Sequence, residues 1–278
     1  MPSKINLMNR VTISHSECLD IGRETTGAID KFADSIAAAR SEPVLFGFDP
    51  DVPESDVRRS SEALLGVLGE SIAVFEPDNK WFKLQVKIDA SPERTHGISE
   101  NPLHIDYIDR EIPPSYIGLL CVRQDPYFGG LTQLASLVEA ARAIRPQARE
   151  ILSESFFRYW ADPTAYNVGP SLPSFSVLGH DWHRFSAKMI PHLVTDSPVL
   201  VAAGQKHVKE IRAALLEFYE ALLATRTSHR LIPGDFLIFP QHVYAHGRSA
   251  LGYGQEFIED PKRRLLLQIY GRDRSTAD

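Results

Sequence analysis

Cysteine is scarce: Cys18 and Cys121 are the 2 thiols in 278 residues, and no CxxC pair occurs. That excludes a disulfide framework and a cysteine-built zinc site, and leaves two thiols expected to be buried. Positive charge is also short. Lys+Arg 30 against Asp+Glu 36 gives a formal net charge of -6, the wrong sign for affinity gained by neutralising nucleic-acid phosphates or anionic lipid. No apolar run approaches the roughly 18 residues of a membrane span, and the opening MPSKINLMNR lacks the apolar stretch of a secretory signal. Nucleic acid and membrane therefore drop out as partners, and the expected compartment is the cytoplasm. GxSxG is missing as well, which removes a serine hydrolase of the nucleophile-elbow type. Repeats, low-complexity tracts and a clean linker are all lacking.

What is present is 43% apolar and 24% charged, and a chain of this length buries roughly 70–75% of its unfolded surface. AIDKFADSIAAAR at 28–40 places Ile29, Phe32, Ile36 and Ala39 near a 3.6 period, predicting a helix that ends before Pro43. VLFGFD at 44–49 predicts a strand, and Ser55 to about Ile72 a helix with Ser55 as N-cap. WFKLQVKID at 81–89 alternates, with Phe82, Leu84 and Val86 on one face and Lys83, Gln85 and Lys87 on the other, predicting a strand with a working polar face. SYIGLLCVRQ, DPYFGG and LTQLAS then predict a hairpin, with Gly129 and Gly130 supplying unusual dihedrals.

Residues 136–160 carry helical spacing broken at Pro146, and ADPTAYNVGPSLPS reads as a loop or lid. Short strands are expected around 174–190. A long helix is expected from about Gln205 to Thr225, with Val208, Ile211, Leu215, Phe218, Tyr219 and Leu222 on one face, before the strands HRLI, DFLIFP and RRLLLQIY. Strands at both ends with helices inserted predict one α+β domain over 1–278, built on a β sandwich. Its core strands fall at about 80–135 and 172–272, with a helical or lid insert at about 136–171.

LHIDYID holds His104 and Asp106 two residues apart, so in an extended segment both side chains emerge on one face. A neutral imidazole nitrogen and a carboxylate oxygen suit iron(II), and a face of two histidines and one carboxylate leaves positions open to other ligands. A third ligand is then required. In IPGDFLIFPQHVYAHGR a Pro-Gly-Asp turn opens a strand, and His246 follows Asp235 by eleven residues, ahead of Gly247 and Arg248. His242 is its rival. HDWH at 180–183 offers two more imidazoles without a carboxylate or cysteine at matching spacing, the pattern of surface or lid residues.

These stretches resemble the taurine dioxygenase-like and clavaminate synthase-like iron(II)/2-oxoglutarate oxygenases. The resemblance covers roughly 80–135 and 230–272, with a looser match at VLFGF, and its motifs run in the family's order: HxD, GGxT, GD...HGR, then RR on a final strand. It implies a double-stranded β-helix (jelly-roll) core, and iron(II) bound by His104, Asp106 and His246. Gln241 stands where the family usually has Asn, five residues before the ligand His, and is implied to lie with Arg248 just behind the ligands. Thr132 falls on the Thr that contacts the far carboxylate of 2-oxoglutarate. Arg264 falls on the Arg that pairs with it, and Arg263 is the fallback. Alternation sends Arg264, Leu266 and Gln268 to one face, so only one of the adjacent arginines can point inward.

The implied chemistry consumes oxygen, decarboxylates 2-oxoglutarate to succinate, and hydroxylates an unactivated C–H bond of a small-molecule substrate. With Asp106 present, the halogenating variant of the family is not expected. Taurine dioxygenase has a second Arg four residues after the first, gripping the substrate's sulfonate; here that position is Gln268, which cannot neutralise an anion. Gln85 resembles a substrate-contacting Gln of the clavaminate branch, and Tyr107, beside the HxD carboxylate, is a further candidate contact. Two amides facing the pocket suit an amide-bearing or amino-acid-derived metabolite of specialised metabolism. The alternatives are a jelly-roll binding protein without catalysis, desaturation or cyclisation in place of hydroxylation, and a free amino acid as substrate.

Overall fold

The computed structural model describes residues 10–91, 95–159 and 167–273. Its elements in chain order are β1 (Arg10–Ile13), α1 (His15–Gly22), α2 (Ala33–Ala38), β2 (Val44–Phe48), α3 (Glu54–Leu68), β3 (Gly69–Ile72), β4 (Trp81–Gln85), β5 (Asn101–His104) and β6 (Tyr116–Arg123). There follow β7 (Thr132–Ser136), α4 (Leu137–Ala143), α5 (Pro146–Ser153), α6 (Ala202–Gln205), α7 (Val208–Thr225), β8 (Thr227–His229), β9 (Asp235–Pro240), β10 (Tyr244–Arg248) and β11 (Leu265–Asp273). No described helix is long and apolar enough to cross a membrane.

The strands form a 7-stranded sheet in the order β1-β2-β9-β6-β11-β3, with β4 also paired to β11, and a 4-stranded sheet in the order β5-β10-β7-β8. Strict alternation decides which way each strand of the large sheet faces. On β11, Leu265, Leu267 and Ile269 join Phe236 and Ile238 of β9 and the apolar sides of α1 and α3 in one core. Leu266 and Tyr270 join Leu119, Leu237 and Leu134 in a second core between the sheets. A third core lies behind the small sheet, where Ile211, Leu215, Phe218 and Leu222 of α7 pack with Leu137, Ala140 and Leu152. The result is a mixed α/β fold in which helices flank two facing sheets.

Several local expectations are revised. α3 ends at Leu68, and 69–72 is a strand antiparallel to the end of β11. Gly69 approaches that strand so closely that a Cβ would lie 2.0 Å from the carbonyl oxygen of Arg272, which no side chain could accommodate. The β6–β7 hairpin does not form: β6 pairs with β9 and β11 in the large sheet and β7 with β10 and β8 in the small one, so the DPYFGG turn crosses between sheets. Within it the positive φ angles belong to Phe128 and Gly130, whereas Gly129 is needed for space, since its Cβ would meet the backbone nitrogen of Gly252 at 2.2 Å. Around 174–190 the chain makes isolated bridges and a 3-10 helix at Ala187–His192 in place of strands. The lid stretch lies outside the described residues over 161–166, and α4 and α5 meet at Pro146 as expected.

Candidate functional site

A cavity of about 1050 Å³ opens between the sheets, lined among others by His104, Asp106, Tyr107, Thr132, His246, Arg248, Arg264, Gln268 and Tyr270. The two histidines come from the small sheet. β5 and β10 pair in a register that sets His104 opposite His246, ring centroids 4.4 Å apart. β5 stops at His104; the next amide, of Ile105, donates to the Phe185 carbonyl at 2.9 Å, and that of Asp106 donates to Gln241 Oε1 at 3.0 Å. Tyr107 then takes a left-handed conformation (φ 59°), at a cost of roughly 1–2 kcal/mol for a residue with a Cβ. This turn aims the Asp106 carboxylate back at the imidazoles, with Oδ1 3.4 Å from His104 Nε2 and Oδ2 3.6 Å from His246 Nε2.

One ligand atom from each of the three residues lies within 4.8 Å of the others, and the donor chemistry fits a divalent iron. His104 Nδ1 sits 2.8 Å from the Pro102 carbonyl, an obligate acceptor, so the proton resides on Nδ1 and the Nε2 lone pair points to the cluster. Burial, with the His104 imidazole beside it, brings the His246 pKa down to about 3, so the ring is a neutral ligand. Burial alone would raise the Asp106 carboxyl, but the two imidazoles and the Tyr270 hydroxyl outweigh it and hold the group below the usual carboxylate range. The set is therefore two imidazole nitrogens and one carboxylate, the donor pattern of a non-haem iron(II) centre.

Another part of the cavity wall is built by β7, β10 and the approach to β11. Thr132 and Arg248 are a cross-strand pair, and both are buried. Arg248 donates to the carbonyls of Gly97 and Ser99 at 2.8 and 2.7 Å, so its fork is occupied in holding the segment before β5. Arg264 differs. It is 6% exposed, and among the described residues no hydrogen bond or ion pair engages its guanidinium. Burial brings its pKa down to about 10, with Cys121 and Asp125 opposing, so it keeps its charge at neutral pH. A buried cation without a protein partner inside a cavity is suited to an anionic ligand. Arg263 points elsewhere, its Nε donating to the Ile258 carbonyl at 2.9 Å and its fork pairing with Asp260.

Other expected residues divide. Gln241 is fully buried, its Oε1 accepting from Asp106 and its Nε2 donating to the Pro114 carbonyl, so it fixes the HxD turn from behind. Gln268 lines the cavity on the face of Arg264, and its Nε2 donates to Asp106 Oδ2 at 3.1 Å. The Gln85 expectation is corrected. Phe82 and Leu84 are the β4 residues in the cavity wall, paired across to Gln268 and Leu266, while Gln85 pairs with outward-facing Leu265 and donates to the Asp260 carbonyl at 3.0 Å. The apolar face of this strand is the one turned to the site. His242 packs on Trp182, ring centroids 5.6 Å apart, and lies outside the cavity wall, as do His180 and His183.

Sequence reasoning missed three residues. Tyr270 is one pleat beyond Gln268, and the same alternation extended by two positions reaches it; its hydroxyl donates to Asp106 Oδ2 at 2.9 Å. Asp125, the first residue of DPYFGG, is 1% exposed and accepts from the amides of Tyr127, Gly129 and Gly252 and from Gln255 Nε2, pinning the turn beside Arg264. Lys188, on the 3-10 helix Ala187–His192, lines the cavity close enough for its charge to help lower His246, and nothing in its sequence context marks it.

Residues 82–270 match the model of the taurine catabolism dioxygenase TauD, TfdA family, a span that contains every residue named at this site. The chain belongs to this family. It is 30% identical to an L-asparagine oxygenase of Streptomyces coelicolor over 153 residues, a match covering 54% of this chain and 40% of that relative. The chain thus spans about two fifths of the length of the curated relative it matches. Among solved structures, asparagine oxygenase in complex with Fe(II), 2S,3S-3-hydroxyasparagine and succinate superposes with a TM-score of 0.71 at 17% identity, over 95% of this chain and 93% of the other. The non-heme iron oxygenase OrfP in complex with Fe and alpha-ketoglutaric acid gives a TM-score of 0.71 at 12% identity, over 96% and 94%. These likenesses establish a shared fold for this TauD/TfdA-family chain.

Proposed function

We propose that the chain is an iron(II)- and 2-oxoglutarate-dependent oxygenase hydroxylating an unactivated C–H bond of a small amide-bearing or amino-acid-derived molecule. The observation that carries this is the convergence, in one cavity, of His104, Asp106 and His246 with a buried Arg264 whose fork has no protein partner among the described residues. His104, Asp106 and His246 hold the iron. When bound with 2-oxoglutarate, the metal supplies oxygen activation, with succinate and carbon dioxide as coproducts. Arg264 would hold the far carboxylate of 2-oxoglutarate, and the Thr132 hydroxyl would donate to the same group. Phe75, Phe82, Leu84 and Tyr107 give the substrate side an apolar wall that limits water.

The asparagine oxygenase likeness supports an amide-bearing amino acid as the substrate class. A free amino acid is favoured by a specific observation, since Lys188 and Asp109 place charges of both signs in the cavity lining. The facing sheets are read as a double-stranded β-helix and residues 1–278 as a single oxygenase domain. Work in the cytoplasm agrees with two free buried thiols.

The test is anaerobic addition of iron(II) and 2-oxoglutarate, which is expected to produce the visible charge-transfer absorption of a chelated 2-oxo acid. His104→Ala, Asp106→Ala and His246→Ala are each expected to abolish it and His242→Ala to retain it. Succinate formation with L-asparagine, other amino acids, neutral cyclic dipeptides and taurine then ranks substrates. A wild-type protein that gives no absorption and binds no iron(II) refutes the assignment.

A further inference from the structure

Two side chains of β11 converge on one oxygen of Asp106. Tyr270 Oη donates to Oδ2 at 2.9 Å and Gln268 Nε2 donates to the same atom at 3.1 Å. Both donor residues are buried, at 3% and 5% exposure. They come from the large sheet, whereas the imidazoles are a cross-strand pair of the small sheet. Asp106 itself lies past the end of β5, in a turn, and belongs to neither sheet. Its backbone is fixed by Gln241, but a main-chain hydrogen bond leaves the side-chain dihedrals of an aspartate free.

We infer that Tyr270 and Gln268 are positioning residues acting through Asp106, a two-donor clamp that holds the carboxylate in its metal-binding orientation and ties the large sheet to the metal centre. The inference rests on the iron(II) assignment proposed above. The clamp engages Oδ2 and leaves Oδ1, the oxygen beside His104, as the one β11 does not hold. The Gln268 amide is thereby directed at Asp106, so its donor is engaged within the protein. Tyr107 supports the arrangement, its ring packing edge-on against Tyr270 with centroids 5.7 Å apart. Outer hydrogen bonds of this kind tune affinity by fixing ligand orientation, and their loss lowers metal affinity by about 10–100-fold.

The experiment measures iron(II) affinity by anaerobic chelator competition, and thermal unfolding of the metal-free protein, for wild type, Tyr270→Phe, Gln268→Met and the double variant. Each single variant is expected to bind iron(II) about 10–100-fold more weakly while the metal-free unfolding midpoint stays near wild type. The double variant is expected to lose less than the product of the two, because both donors restrain one carboxylate. Gln268→Asn, an amide too short to reach, is expected to behave like Gln268→Met and guards against a packing artefact. Wild-type affinity in the variants overturns the clamp, as does weakened affinity that only accompanies lost stability of the metal-free protein. A wild type that binds no iron(II) overturns the function on which the clamp rests.

Discussion

Removing the charge of Arg264 should change cosubstrate affinity and protein stability in opposite directions. In the protein without 2-oxoglutarate the guanidinium is buried, unpaired among the described residues, and held at about 10 against an ordinary 12.5. At 1.36 kcal/mol for each pH unit, that burial costs about 3 kcal/mol. The sign follows from linkage: a cation whose folded pKa is lowered destabilises the fold throughout the range below about 10, and the cost fades only as pH rises through that value. Arg264→Met keeps most of the aliphatic stem and removes the charge. The cosubstrate-free protein is therefore expected to melt no lower than wild type and up to several degrees higher, at about 2–4 °C per kcal/mol.

Binding moves the other way. With Met at this position the far carboxylate of 2-oxoglutarate is buried without a partner, which costs about 3–5 kcal/mol. At about 1.4 kcal/mol per tenfold, affinity falls by roughly two to three and a half orders of magnitude. Arg264→Lys, which keeps the charge but not the fork, is expected to fall between. The assay is calorimetric titration of 2-oxoglutarate into the iron(II)-loaded protein under anaerobic conditions, alongside thermal melts without it. Unchanged affinity in Arg264→Met, or a loss of affinity seen only with a drop in melting temperature, refutes the reasoning.

Thr132→Val, a change of similar volume, should weaken 2-oxoglutarate binding about 10-fold or more in the same titration, the worth of a hydrogen bond to a carboxylate of about 1.5–3 kcal/mol, while Arg263→Met leaves it unchanged. Gly129→Ala should lower the melting temperature by several degrees, because its Cβ would meet backbone at 2.2 Å and overpacking costs about 1–3 kcal/mol. If a substrate carboxylate pairs with Lys188, Lys188→Gln should raise substrate KM by about 10–150-fold, the worth of a charge-assisted bond of about 1.5–3 kcal/mol, with the 2-oxoglutarate Kd unchanged.

The ligand residues were legible because their signals are local. The pleat fixes the side-chain directions of His104 at the end of β5 and of His246 on β10, whereas Asp106 is aimed by the turn that follows β5. Asp235 shows what the turn is for: it accepts from the Ile232 amide and from Arg10, starting β9 without touching the cluster. The choice between Arg263 and Arg264 was legible as a parity, and the structure supplies its direction because Leu265 and Leu267 must face the helices. The sheet partner of each strand was not legible. SYIGLLCVRQ and LTQLAS carry the pattern of a hairpin, yet β6 and β7 lie in different sheets, since strand alternation records which face is buried and not against which neighbour. Gln85 failed for a related reason: its strand shows one polar and one apolar face, and between two sheets the apolar face is the one that lines the cavity.

Gln268 marks the further limit of such reasoning. Its position was foreseen, two pleats from Arg264 on the cavity face, and a neutral side chain there argued for a substrate uncharged at that point. The structure keeps the position and changes its meaning, because the amide nitrogen is spent on Asp106. Spacing along a strand fixes where a side chain points but not which neighbour claims it, and that neighbour comes from the other sheet. The remaining charged groups of the cavity wall are ones that no motif connects. Lys188 approaches from the 3-10 helix that follows Ser186, the residue bridged to His104 at the β5 edge of the small sheet, and Asp109 from the turn that follows the HxD segment. A chain can lack the second arginine of a sulfonate site and still place a cation in its cavity wall, delivered by a segment whose sequence shows no periodicity. The connections between strands thus contribute Asp106, Tyr107, Asp109 and Lys188 to the cavity wall, while the strands contribute His104, Thr132, His246 and Gln268.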